Sequence, residues 1–138
     1  MIITLKEEQK LLQDPKVVWE ICKGLLAAED YIDREKEHLW VFHLDVRNKI
    51  KLLELVSLGI LNSSLVHPRE VFRRAVVEGV NAIIIAHNHP SNCSDPSQDD
   101  INVTKRLKNA GDILGIEVVD HVVICESGFT SLREKNVL

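Results

Sequence analysis

The sequence predicts an α/β fold, an α-β-α sandwich around a mixed β-sheet. Helical and strand-like segments alternate along the chain, and Val80 to Ala86 is a short, largely apolar run rich in β-branched residues. A strand of that composition is buried on both faces, which requires helices on each side of the sheet. The 138 residues, 45% of them apolar, are enough for one domain with its own core. We expect a single domain over 1–138, with a helical extension at 1–30 and a motif-bearing core at 31–133.

The first half of the chain is predicted to be helical at its start and then to enter the sheet. Asp14 and Pro15 are typical of a helix start, because Asp caps the helix and Pro fits its first position. From Glu37 the apolar spacing changes from that of a helix to that of a strand. The expected elements, in chain order, are a helix within 1–30, strands near 37–44, 50–56 and 63–66, and a helix over 67–78.

The second half is predicted to hold the central strand, a polar loop, a long helix and two final strands. Ser97 is a favourable capping residue for the long helix, and Gly115 is typical of a helix end. The expected elements are a strand over 80–86, a loop over 87–96, a helix over 97–114, and strands over 116–125 and 129–132.

The charge balance disfavours nucleic acid as a partner. The chain has 17 Lys and Arg against 21 Asp and Glu, a net charge of −4, and its basic residues form no stripe. Proteins that bind nucleic acid more often carry a basic excess. We therefore expect no strong nucleic-acid binding.

The apolar runs and the cysteines of the sequence indicate in which cellular compartment the protein is expected. The longest apolar runs are far too short to span a bilayer, and the first residues do not resemble a signal peptide, so no membrane association is expected. The three cysteines are widely spaced and odd in number, which is typical of a reducing compartment. We expect a cytoplasmic protein.

The polar loop after the central strand holds the most informative residues. His87 and His89 are two positions apart at a strand end, so their side chains point to the same side of the sheet. Asp100 lies in the first turn of the next helix, and the intervening loop can fold it back toward the pair. Two His and one carboxylate leave a position open for water, as in catalytic zinc sites.

Each part of this pattern has a simpler interpretation. Ser97 and Asp100 stand in the Ser-x-x-Asp relation of a helix capping pair, which alone would explain both residues. His-x-His is also unspecific alone, since polar residues are ordinary at strand ends. The conjunction of apolar strand, His-x-His, Pro-rich loop and Ser-x-x-Asp at a helix start is what predicts a metal site.

This conjunction resembles the JAMM (MPN-plus) metallopeptidase motif, in which an upstream Glu is followed by His-x-His-Pro, a short loop and Ser-x-x-Asp. More narrowly, the chain resembles the C-terminal domain of bacterial RadC-type proteins, the UPF0758 family, once labelled DNA repair proteins. The resemblance implies a JAMM/cytidine-deaminase-like architecture and covers about residues 31–133. The segments that carry it are Glu37 to Val41, Leu44–Asp45, Ser57 to Gly59, His67 to Glu70, His87 to Ser91, Pro96–Ser97 and Val119 to His121.

The chain departs from the family pattern at two places. Ile60 stands where the family commonly has Thr, which bears on substrate contacts rather than on the metal. Asn92 and Cys93 stand where the family commonly has a Gly-containing loop. Because Asn tolerates the left-handed backbone conformation, we expect the loop to keep its shape.

The resemblance implies a role for each motif residue. His87, His89 and Asp100 would bind one zinc ion, and the reaction would be hydrolysis of a peptide or isopeptide amide. Glu37 would be the general base toward the attacking water, and Ser97 would donate a hydrogen bond to the oxyanion. Neighbouring Glu35 is the rival for the base; we favour Glu37 because it directly adjoins the strand.

The remaining polar candidates are assigned mainly to structure. Asp120 and His121 lie in an apolar strand, and two interpretations stay open, a pair that supports the metal ligands or a buried structural pair. The others are His38 and His43, expected to pack on a sheet face, His67, expected at a cap or turn, and Cys93, expected to face solvent rather than to bind metal.

Two other classes of function compete with a hydrolase. One is an adaptor or DNA-associated module that keeps the fold without turnover, which would not need Glu37 and Ser97. The other is a metal-dependent nuclease or phosphodiesterase, for which a second metal and more carboxylates would be expected. A homodimer is possible in any of these cases.

Overall fold

A computed structural model of the chain describes residues 1–4, 14–59 and 66–138. The predicted fold class is confirmed, since a mixed six-stranded sheet lies between helices. The strands are β1 (Ile2–Ile3), β2 (Glu37–Leu44), β3 (Ile50–Gly59), β4 (Ala82–Asn88), β5 (Glu117–Cys125) and β6 (Gly128–Ser131), and the helices are α1 (Pro15–Ala27), α2 (Tyr31–Arg34), α3 (Pro68–Glu78) and α4 (Gln98–Leu114).

The sheet has the strand order β1-β3-β2-β4-β5-β6. β4 and β5 are parallel, joined by the crossover helix α4, and the other neighbouring pairs are antiparallel. Because β2 runs against β4, the first residues of β2 and the last residues of β4 lie at the same edge of the sheet. That edge brings Glu37 to the same end of the molecule as His87.

The two faces of the sheet carry separate apolar cores, as the alternation of side chains along β4 shows. Ile84 and Ala86 pack with Val18, Ile21 and Cys22 of α1. Burial raises the pKa of the Cys22 thiol well above its usual value, so this residue acts as a small apolar side chain.

The opposite face of the sheet is covered by α3 and α4. Ile83 and Ile85 pack there with Val71 and Phe72 of α3 and with Leu107 of α4. By the same alternation, His87 continues this series and points toward α4, whereas Asn88 points toward the α1 side.

Several element boundaries differ from those predicted. Ile2–Ile3 is a strand paired with β3 rather than part of a helix, because it adds main-chain bonds at the sheet edge. β4 runs through Asn88, two residues beyond the predicted end, since its pairing with β5 continues to Ile124. The short helix α2 was not predicted. Of the predicted strand at 63–66, residues 63–65 lie outside the described ranges, as does Ile60, and Val66 is in no strand.

The predicted start signal of α1 and the predicted end signal of α4 are confirmed. The Asp14 carboxylate accepts from the N–H groups of Lys16 and Val17, which caps α1. Gly115 ends α4 with φ 74°, in the left-handed region that favours glycine. No helix within the three described ranges combines the length and the apolar composition needed to cross a bilayer.

Gly111 marks the closest approach of α4 to the sheet. A Cβ atom at this position would overlap the carbonyl oxygen of Ile116 and would also press on Phe72 and Val118. The same turn is closed by a hydrogen bond from the Ile116 N–H to the Gly111 carbonyl, 2.9 Å. The connection from α4 into β5 therefore requires glycine.

We predict that Gly111→Ala lowers the free energy of unfolding by about 1–3 kcal/mol, because an overpacked main-chain contact forces α4 away from β5. Gly24→Ala is the matched control, since a Cβ in that exposed position of α1 meets no atom within 4 Å. It should raise the free energy of unfolding by about 0.5–1 kcal/mol. Equal effects of the two variants in urea denaturation would contradict the proposed packing.

Candidate metal centre

The end of β4 and the first turn of α4 bring the three predicted ligands together. His87 Nε2 lies 3.0 Å from His89 Nε2 and 3.0 Å from Asp100 Oδ1, and His89 Nε2 lies 3.0 Å from Asp100 Oδ2. His87 is fully buried, and the side chains of His89 and Asp100 are largely so. These three residues form a group whose ligand atoms could hold one metal ion.

His89 presents an unprotonated nitrogen to this group. Its Nδ1 lies 2.8 Å from the carbonyl oxygen of Cys93, in the loop between β4 and α4. A carbonyl can only accept, so the hydrogen of the neutral ring is on Nδ1. The lone pair of His89 Nε2 is then directed at His87 and Asp100.

His87 is held in the same tautomer by a longer chain of hydrogen bonds. The Thr104 hydroxyl donates to the main-chain carbonyl of Asp100, 2.7 Å, so its oxygen accepts from Nδ1 of His121, 2.5 Å. Burial lowers the pKa of His121 well below its usual value, so this ring is neutral. Its Nε2 therefore accepts the Nδ1 hydrogen of His87, 2.7 Å, and leaves the lone pair of His87 Nε2 facing the group.

The three side chains of this group need a positive charge between them. Two imidazole lone pairs and a carboxylate at these distances repel one another unless a proton or a cation lies between them. The hydrogen bond to Asp100 raises the pKa of His89 against the opposing effect of burial. Burial raises the pKa of the Asp100 carboxyl, but hydrogen bonds with His87 and His89, formed when a proton lies among the three side chains, outweigh it and hold that pKa well below its usual range.

The donor set fits a small divalent cation such as zinc. Imidazole nitrogens and a carboxylate are typical zinc ligands, and ligands about 2.1 Å from a tetrahedral ion are roughly 3.4 Å apart. The observed 3.0 Å separations need only a few tenths of an ångström of expansion. Three ligands leave the fourth position for water or substrate, which is the arrangement of catalytic sites.

The capping interpretation of Ser97 and Asp100 is correct, and it does not exclude metal binding. The Asp100 N–H donates to Ser97 Oγ, 3.1 Å, and the Ser97 N–H donates to Asp100 Oδ2, 2.8 Å, which is a capping box at the start of α4. The box orients the carboxylate toward the two histidines. Because Ser97 Oγ accepts in this box, its own hydrogen can be donated to a further acceptor.

The structure places the two rival glutamates differently. Glu37 is the first residue of β2, and its negative charge contributes to the raised pKa of His89. Glu35 is the residue that ends α2, before the strand begins. Of the two, Glu37 is the one in the strand that pairs with β4, which carries His87.

A cavity of about 260 Å³ adjoins the loop between β4 and α4 but does not enclose the group of His87, His89 and Asp100. It lies between the end of α1, α2 and the end of β5, and it is lined by His89 and Pro90 but not by His87 or Asp100. The cavity therefore reaches only one residue of the group, His89, and it is not assigned to the reacting groups.

The sequence left two interpretations open for Asp120 and His121, and the structure assigns a different one to each residue. His121 contacts His87 through its ring, as described above. The Asp120 carboxylate instead accepts from the N–H groups of His121 and Arg133 and from the Ser131 hydroxyl, which ties β5 to the end of the chain. His121 supports a residue of the candidate metal group, and Asp120 is structural.

The other polar candidates are mostly where the sequence predicts them. His38 and His43 are fully buried in the sheet, and each also pairs with a carboxylate, Glu29 at 2.6 Å and Glu54 at 3.2 Å respectively. His67 is at the start of α3 and makes no side-chain capping bond. Cys93 is exposed, as predicted. Asn92 has φ 60°, so the expected left-handed conformation in the loop is confirmed.

Thr104 is a residue of this centre that the sequence reasoning missed. It lies one helical turn after Asp100, on the same face of α4, where side chains three or four positions apart are neighbours. That spacing could have indicated a polar partner for Asp100. The pairing with His121 could not be read from spacing, because it joins a helix to a strand across the crossover.

Comparison with known proteins assigns the family. The family model described as the RadC-like JAB domain matches residues 12–137. The chain belongs to this family. A UPF0758 protein of Chlorobium phaeovibrioides is 43% identical over 133 residues, which are 96% of this chain and 57% of that protein. UPF0758 proteins of Caldanaerobacter subterraneus and Moorella thermoacetica are 53% and 52% identical, over 80% and 83% of this RadC-like chain.

The RadC/UPF0758 resemblance predicted from the sequence is thus confirmed. This RadC-like chain spans about half the length of the relatives it matches, 57%, 47% and 50% of the three. Their names state no activity. The family therefore gives the fold and the class of site, and the reaction has to be argued from the residues.

We predict that Thr104→Val weakens zinc binding by about 10-fold or more, the usual effect of losing an outer partner of a metal ligand. Without the hydroxyl, the hydrogen of His121 is no longer fixed on Nδ1, and His87 Nε2 can become protonated. Thr104→Ser, which keeps the hydroxyl, should bind zinc as the wild type does. The measurement is competition for zinc with a chromogenic chelator.

Ser131→Ala is the control for this prediction. It removes a buried hydroxyl from the same sheet, on the Asp120 network rather than on the His121 chain. It should lower stability without changing zinc affinity. Equal zinc affinity in Thr104→Val and wild type would show that the tautomer of His87 does not depend on this chain.

Proposed function

We propose that this chain is a zinc-dependent hydrolase that cleaves a peptide or isopeptide amide. The observation that carries the proposal is the convergence of His87, His89 and Asp100, in which both imidazoles are fixed with their Nε2 lone pairs toward the carboxylate. A purely structural domain has no need to bring two imidazole lone pairs and a carboxylate, which repel one another, to a single place. Membership of the RadC-like JAB family supports the same class of chemistry.

The chain's own residues can be given distinct roles in such a reaction. Zinc, when bound, lowers the pKa of a water molecule to about 7 and polarises a carbonyl group. Glu37 takes a proton from the attacking water and delivers it to the leaving amine. Ser97 donates its hydroxyl hydrogen to the oxygen that gains negative charge during attack.

The substrate class follows from this chemistry rather than from a recognised binding surface. An amide bond needs a strong nucleophile, polarisation of its carbonyl and a proton for the leaving nitrogen, and the site has one group for each. Nucleic acid is not proposed as the substrate, because the chain is acidic overall, with a net charge of −4. A cytoplasmic location and a possible homodimer remain part of the proposal.

The first prediction from this function is that the protein binds one zinc ion per chain. His87→Ala and Asp100→Asn should abolish binding and leave a folded protein, whereas His67→Ala should bind normally. Because the raised pKa of His89 makes protons compete with the metal, zinc affinity should fall as the pH is lowered. Elemental analysis after reloading gives the stoichiometry, and absence of zinc from the wild type would refute the proposal.

The second prediction separates chemistry from metal binding. Glu37→Gln should retain zinc and lower turnover by about 100- to 10,000-fold, because Gln cannot accept a proton. The measurement is a screen of fluorogenic peptide and isopeptide amides, followed by kcat on the best substrate. Glu35→Gln is the control and should leave turnover nearly unchanged. Reversed phenotypes would assign the base to Glu35, and loss of zinc from Glu37→Gln would make Glu37 a ligand.

A further inference from the structure

The side chain of Asn88 joins the end of β4 to the start of β2. Its Oδ1 accepts a hydrogen bond from the His38 N–H, 2.6 Å, and its Nδ2 donates to the Lys36 carbonyl, 3.1 Å. Asn88 is only 2% exposed, so water does not compete effectively for these bonds. The two peptide groups it contacts are those on either side of Glu37.

These two bonds replace main-chain pairing at the point where β2 and β4 separate. The last paired residues of the two strands are Leu39 and His87. Beyond them the chain turns toward β5, and the His89 N–H donates to the Ile124 carbonyl, 2.8 Å. The amide of Asn88 therefore continues the connection between β2 and β4 by one further step, beside Glu37.

This connection fixes the main chain that carries the Glu37 side chain. Among the residues that the structure describes, none makes a hydrogen bond or salt bridge to the Glu37 side chain. On its other edge the Glu37 main chain pairs with Gly59 of β3, which holds it in the sheet but does not join it to the ligand strand. Asn88 makes that second connection.

We propose that Asn88 is a positioning residue that fixes Glu37 relative to His87 and His89. The inference rests on the proposed function, in which Glu37 handles the proton of the attacking water. Because Asn88 lies between the two histidines, one side chain ties the base to the strand that carries the ligands. An amide suits this position at neutral pH, since its oxygen accepts while its nitrogen donates.

The first test needs neither metal nor substrate. In the metal-free protein, Asn88→Ala should expose the His38 amide to fast hydrogen exchange, measured by NMR, while the Val41 amide within the ladder stays protected. Asn102→Ala, which removes an exposed amide side chain on α4, should change neither. An unchanged exchange rate at His38 in Asn88→Ala would overturn the proposal.

The second test separates positioning of the base from support of the ligands. Asn88→Ala should keep zinc affinity within a few-fold and lower kcat by about 10- to 100-fold, with little change in KM, because the base is misplaced. In a Glu37→Gln background the same substitution should have no further effect on kcat. Loss of zinc, or a multiplicative loss of kcat in the double variant, would mean that Asn88 does not act through Glu37.

A conservative variant covers the case in which Asn88→Ala does not fold. Asn88→Asp keeps an acceptor for the His38 N–H and loses the donor to Lys36, so it should keep exchange protection and lose part of the turnover. Wild-type turnover in this variant would overturn the proposal. If the wild-type protein neither binds zinc nor hydrolyses any amide, the proposed function fails, and the exchange measurement still decides whether Asn88 holds the Glu37 segment.

Discussion

The centre depends on two neutral imidazole rings whose own hydrogens are held on the nitrogens that face away from each other. His87 Nε2 and His89 Nε2 are 3.0 Å apart, and each ring is held so that its hydrogen is on the opposite nitrogen. For His89 a single carbonyl is enough to fix the hydrogen, because the neighbouring loop supplies the carbonyl of Cys93. For His87, buried at the end of a strand, a second histidine and a threonine are needed.

Asp100 connects this constraint to the fold. Its carboxylate closes the capping box of α4, and the same carboxylate contacts both histidines. Its main-chain carbonyl accepts from Thr104, which in turn fixes His121. The start of one helix therefore determines the direction of a ligand, the tautomer of another ligand and the stability of the helix itself. The capping and metal-binding interpretations describe two uses of one geometry.

Local patterns were sufficient to predict most of the elements and the three residues that lie together as a group able to hold a metal ion. Apolar spacing, Asp14–Pro15 and Gly115 located helices and strands, and His-x-His with Ser-x-x-Asp located the three residues of the candidate metal group. Contacts between elements that are distant in the sequence could not be predicted from these local patterns. Spacing could not decide that the His121 ring faces His87 while Asp120 faces the chain end. The short edge strand at Ile2–Ile3 has too few residues to carry a pattern, and its pairing with β3 defines it.

Cys93 provides an exposed thiol for labelling in the loop between β4 and α4. Of the three thiols, Cys22 and Cys125 are buried and Cys93 is exposed, so a thiol-reactive label attaches there first. The carbonyl of the same residue holds Nδ1 of His89. A fluorophore or spin label on Cys93 therefore sits on the residue that orients a ligand, and it would report on loading of the centre in the unaltered sequence, before any substrate is known.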